Sequence, residues 1–419
     1  MGLLGPWIGL WQAALGGGGV PSWVLQSGAA LATMDVDLIN DRAWNDGAEV
    51  TIASLLSCAR ASSAYYTTSS GVLQSFGNNT LRRGDRGLLV EEARTNLATQ
   101  SQDFASAAWA AQNATRTANA ITAPDGTLTA DRITETAITA THGVYHNSGF
   151  AISGVHTASV YVKPAERTWF LIWFEGVATY RAWFNLSGSG SIGTVANGTA
   201  SIEALADGWY RCTLTATLGV GTHFLELYSA TGNNITSYAG DGASGYYLWG
   251  AQLEAVGSAS SYIPTGASSA SRAADVVTFS DLTWFDGSQD SIVAEWTAKN
   301  VNNAVVWAFD ATDNLSILEQ TGMSARIADA DATYAVTVAN TASAGTTVKA
   351  AARVAANDIA LCMGGGTVAS DTSATAPGGL TASRLGCDLA DGNFINGYIR
   401  RATAWKNYLM SNGELQVFL

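Results

Sequence analysis

The stretch Gly87-Leu-Leu-Val-Glu-Glu-Ala-Arg-Thr-Asn-Leu97 joins a short apolar run to a dense polar cluster. The apolar run, from Leu88 to Val90, predicts a β-strand. The cluster behind it contains two carboxylates, a guanidinium, a hydroxyl and an amide, and an arginine can hold a carboxylate through two parallel hydrogen bonds. Adjacent side chains on a strand point to opposite faces, so Glu91 and Glu92 do not readily flank one bond of a substrate. We therefore interpret the cluster as a structural lock in preference to a catalytic site.

This stretch also resembles a signature of bacteriophage tail-fibre and head-spike proteins. In that family the signature lies between a virion-proximal segment and a jelly-roll that resembles a carbohydrate-binding module. Three further stretches are similar to the same family: Arg60-Ala-Ser-Ser-Ala-Tyr-Tyr66, Trp249-Gly-Ala-Gln-Leu-Glu254 and Ser261-Tyr-Ile-Pro-Thr265. The resemblance spans roughly residues 58 to 270. It implies an architecture and a virion context, and it does not identify a bound sugar.

The composition favours a β-rich protein with many tight turns. Hydrophobic residues make up 47% of the 419 residues and charged residues only 13%, well below the usual quarter. The 44 glycines suit turns. The 14 Trp, 14 Tyr and 12 Phe can bury ample apolar area, which excludes a disordered chain. The length predicts about two to four domains.

The formal net charge of −13 argues against a nucleic-acid partner, because phosphate binding requires clustered Lys and Arg. The basic runs are only the pairs Arg82-Arg83 and Arg400-Arg401. An acidic and weakly charged surface fits neutral polysaccharides or proteins better. These are the partners that the composition predicts.

The first 34 residues are interpreted as an apolar N-terminal virion-docking segment, with three tryptophans assigned to docking: Trp7, Trp11 and Trp23. Residues 1–11 contain no charge, whereas a secretory signal normally begins with Lys or Arg. A membrane-spanning helix needs about 20 apolar residues, and glycines at 16–19 interrupt this segment, so we expect no membrane span. Because an exposed apolar segment would aggregate, we expect it to insert into another virion protein, a portal-distal capsid or tail component. A signal peptide or a membrane-active peptide is the alternative.

Strand patterns divide the rest of the chain into three parts. These are a small β connector over 35–97, a jelly-roll carbohydrate-binding-like domain over 98–270 and a β-sandwich over 271–419. Alternating runs such as Ala158-Ser-Val-Tyr-Val162, separated by turns rich in Gly, Asn, Ser and Asp, indicate sandwiches. The fold class that we predict is all-β, with two tandem β-sandwich domains, jelly-roll and concanavalin-like, after the short N-terminal anchor segment.

The last block resembles concanavalin-like or laminin-G-like sandwiches. Residues 397–409 and the Glu-Leu-Gln tail look like the closing strand and terminal helix of that fold. Ser411, followed three residues later by Glu414, predicts a capping box at the start of this helix.

The same resemblance implies a weak calcium prediction, because concanavalin-like sandwiches frequently carry calcium in Asp- and Asn-rich loops. Such loops offer hard oxygen donors, and the candidate ligands are Asp310, Asp313 and Asn314. Asp-rich turns without a metal are commoner. We otherwise expect no cofactor, because no CxxC or His-rich spacing indicates zinc.

Four cysteines, too few and too scattered for a disulfide scaffold, occur at Cys58, Cys212, Cys362 and Cys387. We expect buried free thiols. A bond between Cys362 and Cys387 is the alternative if their strands are neighbours.

Carbohydrate recognition uses aromatic rings that stack on the C–H faces of sugars and polar groups that orient the hydroxyls. A predicted strand from Thr179 to Asn185 places an Arg, a Trp and an Asn on one face, and the segment 169–174 alternates two further tryptophans. The carbohydrate-binding candidates are Trp169, Trp173, Arg181, Trp183 and Asn185. The alternative is that these tryptophans lie in a core or a subunit interface.

Features of an enzyme are sparse. His142 and His146 have a spacing that places both on one face of a strand, which allows a metal or acid–base pair, although such residues are more often ordinary strand positions. No Gly-x-Ser-x-Gly, Walker or HExxH motif occurs. We expect no catalytic residue. A pair of glycosidase carboxylates is the remaining alternative, because the spacing of such a pair is set by the fold and not by the sequence.

We therefore predict a phage virion structural protein, a head spike or a tail fibre, that docks by its N-terminus and binds host-surface polysaccharide as its receptor during adsorption. Such fibres are typically symmetric oligomers, so we expect a homotrimer at the virion surface, assembled in the host cytoplasm. One alternative is a polysaccharide-degrading spike with clustered acidic residues in a groove. The other is a non-binding structural or decoration protein.

Overall fold

The computed structural model describes residues 20–418 except positions 29, 177, 299–303, 310–314, 322–323, 329–334, 340–344 and 374–379. Up to residue 97 its elements are β1 (Gln26–Ser27), β2 (Ala30–Leu31), β3 (Met34–Asp37), β4 (Arg42–Asn45), β5 (Ala48–Val50), α1 (Ile52–Leu55), β6 (Leu56–Ala59), β7 (Ala64–Thr67), β8 (Leu73–Phe76), β9 (Arg83–Gly84), β10 (Gly87–Val90) and β11 (Arg94–Asn96). The strand predicted from Leu88 to Val90 is confirmed by β10.

The middle of the chain contains long strands and one short 3-10 helix, Ala206–Gly208. Its strands are β12 (Trp109–Gln112), β13 (Ala114–Ile121), β14 (Ala130–Glu135), β15 (Thr139–Ala140), β16 (His142–His146), β17 (Phe150–Pro164), β18 (Trp169–Glu175), β19 (Tyr180–Asn185), β20 (Ser191–Ala196), β21 (Thr199–Ala204), β22 (Tyr210–Ala230), β23 (Tyr238–Ala239) and β24 (Gly245–Glu254).

The last part of the chain returns to short and medium strands and ends in a helix. Its elements are β25 (Ala270–Arg272), β26 (Val276–Phe279), β27 (Gln289–Ala298), β28 (Ala304–Val305), β29 (Trp307–Phe309), β30 (Leu315–Thr321), β31 (Ser324–Ala328), β32 (Ala335–Ala339), β33 (Thr347–Ala355), β34 (Asp358–Met363), β35 (Ala369–Asp371), β36 (Ser383–Leu385), β37 (Gly397–Trp405) and α2 (Asn412–Val417).

The strands build two β-sandwiches, and the first of them uses strands from both ends of the chain. One of its sheets has the order β35–β34–β33–β27–β37–β3–β4–β5, with β10 paired to β37 and β9 paired to β10. The other has the order β32–β31–β30–β29–β36–β26–β6, with β28 paired to β30. The prediction of an all-β fold built from sandwich domains is confirmed.

The observed strand pairing does not follow the predicted division into a connector over 35–97 and a separate sandwich over 271–419. Val36 of β3 pairs with Ala402 of β37, and Cys58 of β6 pairs with Val277 of β26. The segment 35–97 is therefore not a separate connector, because it completes the sheets of the sandwich whose other strands follow residue 270. Alternation of apolar residues identifies a strand but does not identify its partner, and these partners are far apart in the chain.

The core of the first sandwich lies between its two sheets. Inward side chains of one sheet, among them Val36, Ile292 and Ile399, meet Phe279 and Trp307 of the other. All five side chains are buried. Full burial of an apolar side chain of this kind contributes about 1.5–3 kcal/mol, so this core is the main source of stability for the first sandwich.

The outer face of the β37 sheet is also covered. Val24 and Ala32 from the start of the described chain pack with Met410 and Leu415 from its end, next to Trp405. The described residues 20–28 and 30–32 therefore belong to the sandwich.

The C-terminal helix α2 begins with the predicted capping box. The Glu414 carboxylate accepts from the backbone amide of Ser411 at 2.8 Å, and the Ser411 hydroxyl accepts from the amide of Glu414 at 3.3 Å. The prediction of a capping box is confirmed. None of the helices that the structure describes is long and apolar enough to cross a membrane.

The second sandwich, a jelly-roll, is inserted between β11 and β25. These two short strands pair antiparallel, Thr95 opposite Ser271, so the chain leaves and re-enters the first sandwich side by side. One jelly-roll sheet has the order β13–β14–β24–β17–β22 with β21 on β22, and the other has β12–β16–β22–β18–β19–β20. The long strand β22 belongs to both sheets, because its first part pairs with β17 and its second part with β16 and β18.

A small hydrophobic cluster joins the two sandwiches. Tyr65 and Leu73, from the β7–β8 hairpin, pack with Tyr161, Trp249 and Tyr262 of the jelly-roll. The ring centroids of Tyr65 and Tyr262 are 5.4 Å apart, and those of Trp249 and Tyr262 are 4.4 Å apart. The first sandwich thus contacts one outer face of the jelly-roll, on its β17–β24 side.

All four cysteines are free and buried, which confirms the expectation of buried thiols. Burial is the main cause that raises the pKa of Cys58 to about 11 and the pKa of Cys387 to about 12. These thiols therefore stay protonated and unreactive at neutral pH.

Candidate functional site

The outward side chains of β18, β19 and the end of β22 form what we call the aromatic face of the jelly-roll. Side chains alternate along a strand, so Phe170, Ile172 and Phe174 enter the core while their neighbours point outward. The aromatic face consists of Trp169, Leu171, Trp173, Arg181, Trp183, Asn185, Glu226 and Tyr228. All five residues predicted for carbohydrate binding lie on it.

The strand register arranges the aromatic face in rows. Trp173 pairs with Arg181 of β19 on one side and with Glu226 of β22 on the other. Trp169 lies further along the strand and pairs with Asn185. Trp169, Trp173, Arg181 and Asn185 are half-buried, so each combines a fixed position with an accessible surface.

Arg181 is held against two indole rings. Its guanidinium carbon lies 4.8 Å from the centre of the Trp183 ring and 5.3 Å from the centre of the Trp173 ring. A cation–π contact of this kind contributes roughly 0.5–2 kcal/mol, depending on desolvation. The Nε of Arg181 and the Nε1 of Trp173 are shielded from solvent and have no hydrogen-bond partner in the described structure.

Trp183 cannot itself be the stacking surface for a sugar. Its side chain is 0% exposed, and its indole nitrogen donates to the backbone oxygen of Ile235 at 3.0 Å. Trp183 instead forms the floor on which Arg181 rests. The strand alternation placed this residue on the outer face but did not show that a loop covers it, so its assignment as a sugar contact is wrong.

The covering loop, residues 231–241, is held down at several points. The amide oxygen of Asn233 accepts from the backbone amide of Thr194 at 2.7 Å. Glu135 accepts from the Tyr238 hydroxyl at 2.7 Å and from the Asp241 amide at 2.8 Å, and it pairs with Arg167. These bonds favour the ionised carboxylate and lower the pKa of Glu135 despite its burial. The loop is therefore a fixed wall of the aromatic face.

Glu226 and Glu175 place two carboxyl groups beside Trp173. Glu226 is 5% exposed, and Glu175 is exposed. Burial, followed by the neighbouring Glu175, raises the pKa of Glu226 to about 8. Glu226 therefore carries a proton at neutral pH and can donate a hydrogen bond.

The two predicted histidines point the other way, into the jelly-roll. The ring nitrogens of His142 lie 2.8 Å from the Asn113 backbone oxygen and 3.3 Å from that of Tyr238. His146 lies 3.0 Å from the Thr99 hydroxyl, and burial lowers its pKa to about 4. Both rings are taken up by structural contacts. Among the described residues, no group of three or more His, Cys, Asp and Glu side chains is placed to hold a metal ion.

A shallow cavity of about 660 Å³ lies elsewhere on the jelly-roll. Its lining contains small residues, hydroxyls and one amide: Ala178, Tyr180, Asn197, Gly198, Thr199, Thr215, Ala216 and Thr217. It offers neither a charged group nor an indole, so it is a weaker candidate than the aromatic face.

The Glu-Glu-Arg cluster of the opening stretch is a structural lock, as predicted. The Glu91 side chain is buried and pairs with Arg82 at 2.9 Å and with Arg272 at 3.6 Å. Arg82 also pairs with Asp275. Glu92 points away and pairs with Arg94 near the surface. The two glutamates follow the end of β10 and point to different surroundings, so they do not flank one bond.

The four stretches that carry the phage resemblance meet at this lock. Ser261 donates to Glu91 through its amide at 3.0 Å and its hydroxyl at 2.6 Å. Asn96 accepts from the Leu253 amide at 3.0 Å and donates to the Ile263 oxygen at 2.9 Å. The remaining stretch contributes Arg60, which donates to Asp275 at 2.7 Å, and Asp275 also accepts from the amide of Glu91 at 2.9 Å. The stretches thus build the junction where the jelly-roll joins the first sandwich.

Of the residues predicted for virion docking and calcium binding, the structure describes Trp23. Trp7, Trp11, Asp310, Asp313 and Asn314 lie outside the described residues. Trp23 is described: it packs with the cluster around Trp405, its backbone oxygen accepts from Arg401 at 2.6 Å, and Arg42 lies 5.9 Å from its ring. Trp23 therefore belongs to the first sandwich and is not part of a free docking peptide.

Comparisons with known proteins were uninformative about function. A comparison with protein-family models finds no match, and a comparison with curated proteins also finds none. One solved structure that matches is the mouse laminin α1 chain, domains LG4-5, at 11% sequence identity and a TM-score of 0.23, covering 76% of this chain and 88% of that chain. A likeness this distant carries no argument about the site.

Sequence reasoning missed the acidic part of the aromatic face. Glu226 and Tyr228 alternate with core residues in His223-Phe-Leu-Glu-Leu-Tyr228, so their shared outward direction was available from the sequence. That this strand lies beside Trp173 was not available, because the pairing of β18 with β22 is set by the fold. Glu175, at the end of β18, shares the face of Trp173 by the same alternation, but its approach to Glu226 also depends on that pairing.

Proposed function

We propose that this chain is a phage virion structural protein, a head spike or a tail fibre, that binds host-surface polysaccharide through the aromatic face of its jelly-roll. The single observation that carries the proposal is the row formed by Trp173, Arg181 and Glu226. An accessible indole lies there between a guanidinium and a protonated carboxyl.

This combination suits a sugar. The faces of a pyranose ring present C–H groups that stack on an indole, and its rim presents hydroxyls that need donors and acceptors. Trp169 and Trp173 provide half-buried rings, and Asn185 provides an amide beside Trp169. The covering loop and the β-sheet fix these groups in advance, which reduces the entropy lost on binding.

The position of the aromatic face also favours binding. Tyr65 and Leu73 of the first sandwich contact the jelly-roll on its β17–β24 side. The aromatic face belongs to the other sheet, β12–β16–β22–β18–β19–β20. A virion protein anchored through its first sandwich would thus present the aromatic face away from the anchor.

The virion context rests on the resemblance of the four stretches to phage spikes and fibres. Their convergence on a buried ion-pair network gives a physical reason for such sequences. A spike must hold its outward module rigidly, and the network around Glu91 fixes the jelly-roll to the first sandwich. We propose a homotrimer, in which three weak sites would gain avidity of about 10²-fold or more through multivalency.

A glycan array tests this function. The full chain is applied to purified bacterial surface polysaccharides, together with Trp173→Ala and the matched control Trp23→Ala, which removes a half-buried indole with a nearby arginine from the other sandwich. Binding that is lost in Trp173→Ala and kept in Trp23→Ala supports the proposal. Absence of binding by the folded parent chain, or binding unchanged by Trp173→Ala, overturns it.

A polysaccharide-degrading spike is the second candidate, favoured by the Glu226–Glu175 pair. Glycosidases use one protonated and one ionised carboxyl to cleave a glycosidic bond. The test is release of reducing ends from a bound polysaccharide by the parent chain and by Glu226→Gln. Release that depends on Glu226 makes the face an active site. Binding without release leaves it a receptor-binding site.

A further inference from the structure

The charge of Arg181 has no acidic partner in the described part of the chain. Every other buried or half-buried arginine there donates to a carboxylate or a backbone oxygen. Arg181 has neither, and its Nε is shielded from solvent without an acceptor. A half-buried cation without a counter-ion is costly to keep unless a ligand or a ring system compensates for it.

Two indole rings partly compensate for the missing counter-ion of Arg181 and also orient its guanidinium. Trp183 lies beneath the guanidinium at 4.8 Å, and Trp173 lies beside it at 5.3 Å. Trp183 is itself fixed by its bond to Ile235 and by burial. The planar guanidinium is therefore positioned before any ligand arrives.

We propose that Arg181 binds the carboxylate of an acidic sugar residue in a polysaccharide that stacks on Trp173. This inference rests on the proposed function of the aromatic face and names its ligand class. The guanidinium presents a planar fork of N–H donors that matches a carboxylate in two parallel hydrogen bonds. A neutral hydroxyl would accept one such bond and leave the charge unbalanced.

The two acidic residues beside Trp173 do not prevent a carboxylate from binding to Arg181. Glu226 is neutral at pH 7, because burial together with Glu175 raises its pKa to about 8. Glu175 is exposed, so solvent and salt screen its charge. The local balance around Trp173 thus differs from the net charge of −13, which by itself favoured neutral glycans.

The test uses pairs of polysaccharides that differ only at the carboxylate. Purified uronic-acid-containing bacterial capsular polysaccharides are compared with their carboxyl-reduced forms, and neutral, phosphorylated and sulfated polysaccharides are included on the same array. Reduction of the carboxylate should weaken binding of the full chain by roughly 10-fold or more, since hydrogen bonds to charged groups are the strong ones. Arg181→Gln should show the same loss on the native polymer and no further loss on the reduced polymer.

Two variants complete the design. Arg132→Gln is the matched control, because Arg132 lies 5.5 Å from the Tyr247 ring in the same domain and pairs with Glu166. It should bind as the parent chain does. Arg181→Lys keeps the charge without the fork, and it should fall between the parent and Arg181→Gln.

The outcomes separate the two claims. Equal binding of native and reduced polymers that still depends on Trp173 overturns the acidic-sugar inference and leaves the proposed function standing. Binding restricted to phosphorylated or sulfated polymers also overturns it. Absence of binding to every polymer by the folded parent chain overturns the proposed function together with this inference.

Discussion

The carboxylate of Glu91 accepts two hydrogen bonds from Ser261, one from the backbone amide at 3.0 Å and one from the hydroxyl at 2.6 Å. Glu91 lies between β10 and β11, just before the jelly-roll, and Ser261 lies on the segment that returns from the jelly-roll. The carboxylate also pairs with Arg82 and Arg272, both buried. One side chain therefore ties the two sandwiches together.

Glu91→Gln is expected to destabilise the chain by about 3–5 kcal/mol, because it leaves the buried guanidinium groups around it with Asp275 as their remaining carboxylate. Chemical denaturation followed by tryptophan fluorescence measures this. Glu92→Gln is the control, since Glu92 pairs with Arg94 near the surface, and it should cost no more than about 1 kcal/mol. Equal effects of the two substitutions would contradict the lock.

Gly87→Ala is expected to destabilise the chain by roughly 2–4 kcal/mol. Gly87 has a φ of 108°, and a Cβ there would overlap the carbonyl of Ile399 on β37. Gly266→Ala serves as control, because a Cβ at that exposed position meets nothing within 4 Å. The melting temperatures should drop clearly for the first variant and stay near the parent value for the second. An unchanged melting temperature for Gly87→Ala would mean that β10 and β37 do not approach each other as described.

Glu226→Gln is expected to change how stability depends on pH. Burial and Glu175 raise the pKa of Glu226 from 4.5 to about 8, so the folded state holds this proton more tightly than the unfolded state. The resulting stabilisation is complete below about pH 4.5 and is lost as the pH rises to about 8.

Glutamine mimics the protonated acid at every pH, so the variant should match the parent chain at pH 4 and exceed its stability at pH 9, with one unit of pKa equal to about 1.4 kcal/mol. The charged and titratable groups around Glu226 are Glu175 on β18, Tyr228 on its own strand, Tyr145 on β16 and Arg181 beyond Trp173. Parallel stability curves for variant and parent between pH 5 and pH 9 would show that Glu226 is not held protonated.

Local features of the fold were predictable from the sequence. The strand Leu88 to Val90 and the capping box of Ser411 and Glu414 depend on neighbours within a few positions, and both are present. The pairing of Val36 with Ala402 was not predictable, because apolar alternation carries no record of which distant strand completes a sheet. The insertion of the jelly-roll into the first sandwich follows from that pairing.

The candidate site was predictable in the same partial way. Strand alternation placed Arg181, Trp183 and Asn185 together on one face, and the structure brings Trp169 and Trp173 beside them. Alternation could not show that the loop at Ile235 buries Trp183. It also could not show that β22 brings Glu226 next to Trp173. Both depend on contacts between segments that are distant in the chain.

Hydroxyl-radical footprinting of the full chain, with and without a polysaccharide selected on the array, tests the central claim most directly. The oxidation of Trp173 and Trp169 reports the exposure of the aromatic face, and the half-buried Trp23 of the first sandwich is an internal control in the same sample. We predict that saturating polysaccharide reduces oxidation of Trp173 and Trp169 and leaves Trp23 unchanged. Unchanged oxidation of Trp173 in the bound protein, with protection elsewhere on the chain, would contradict binding at the aromatic face.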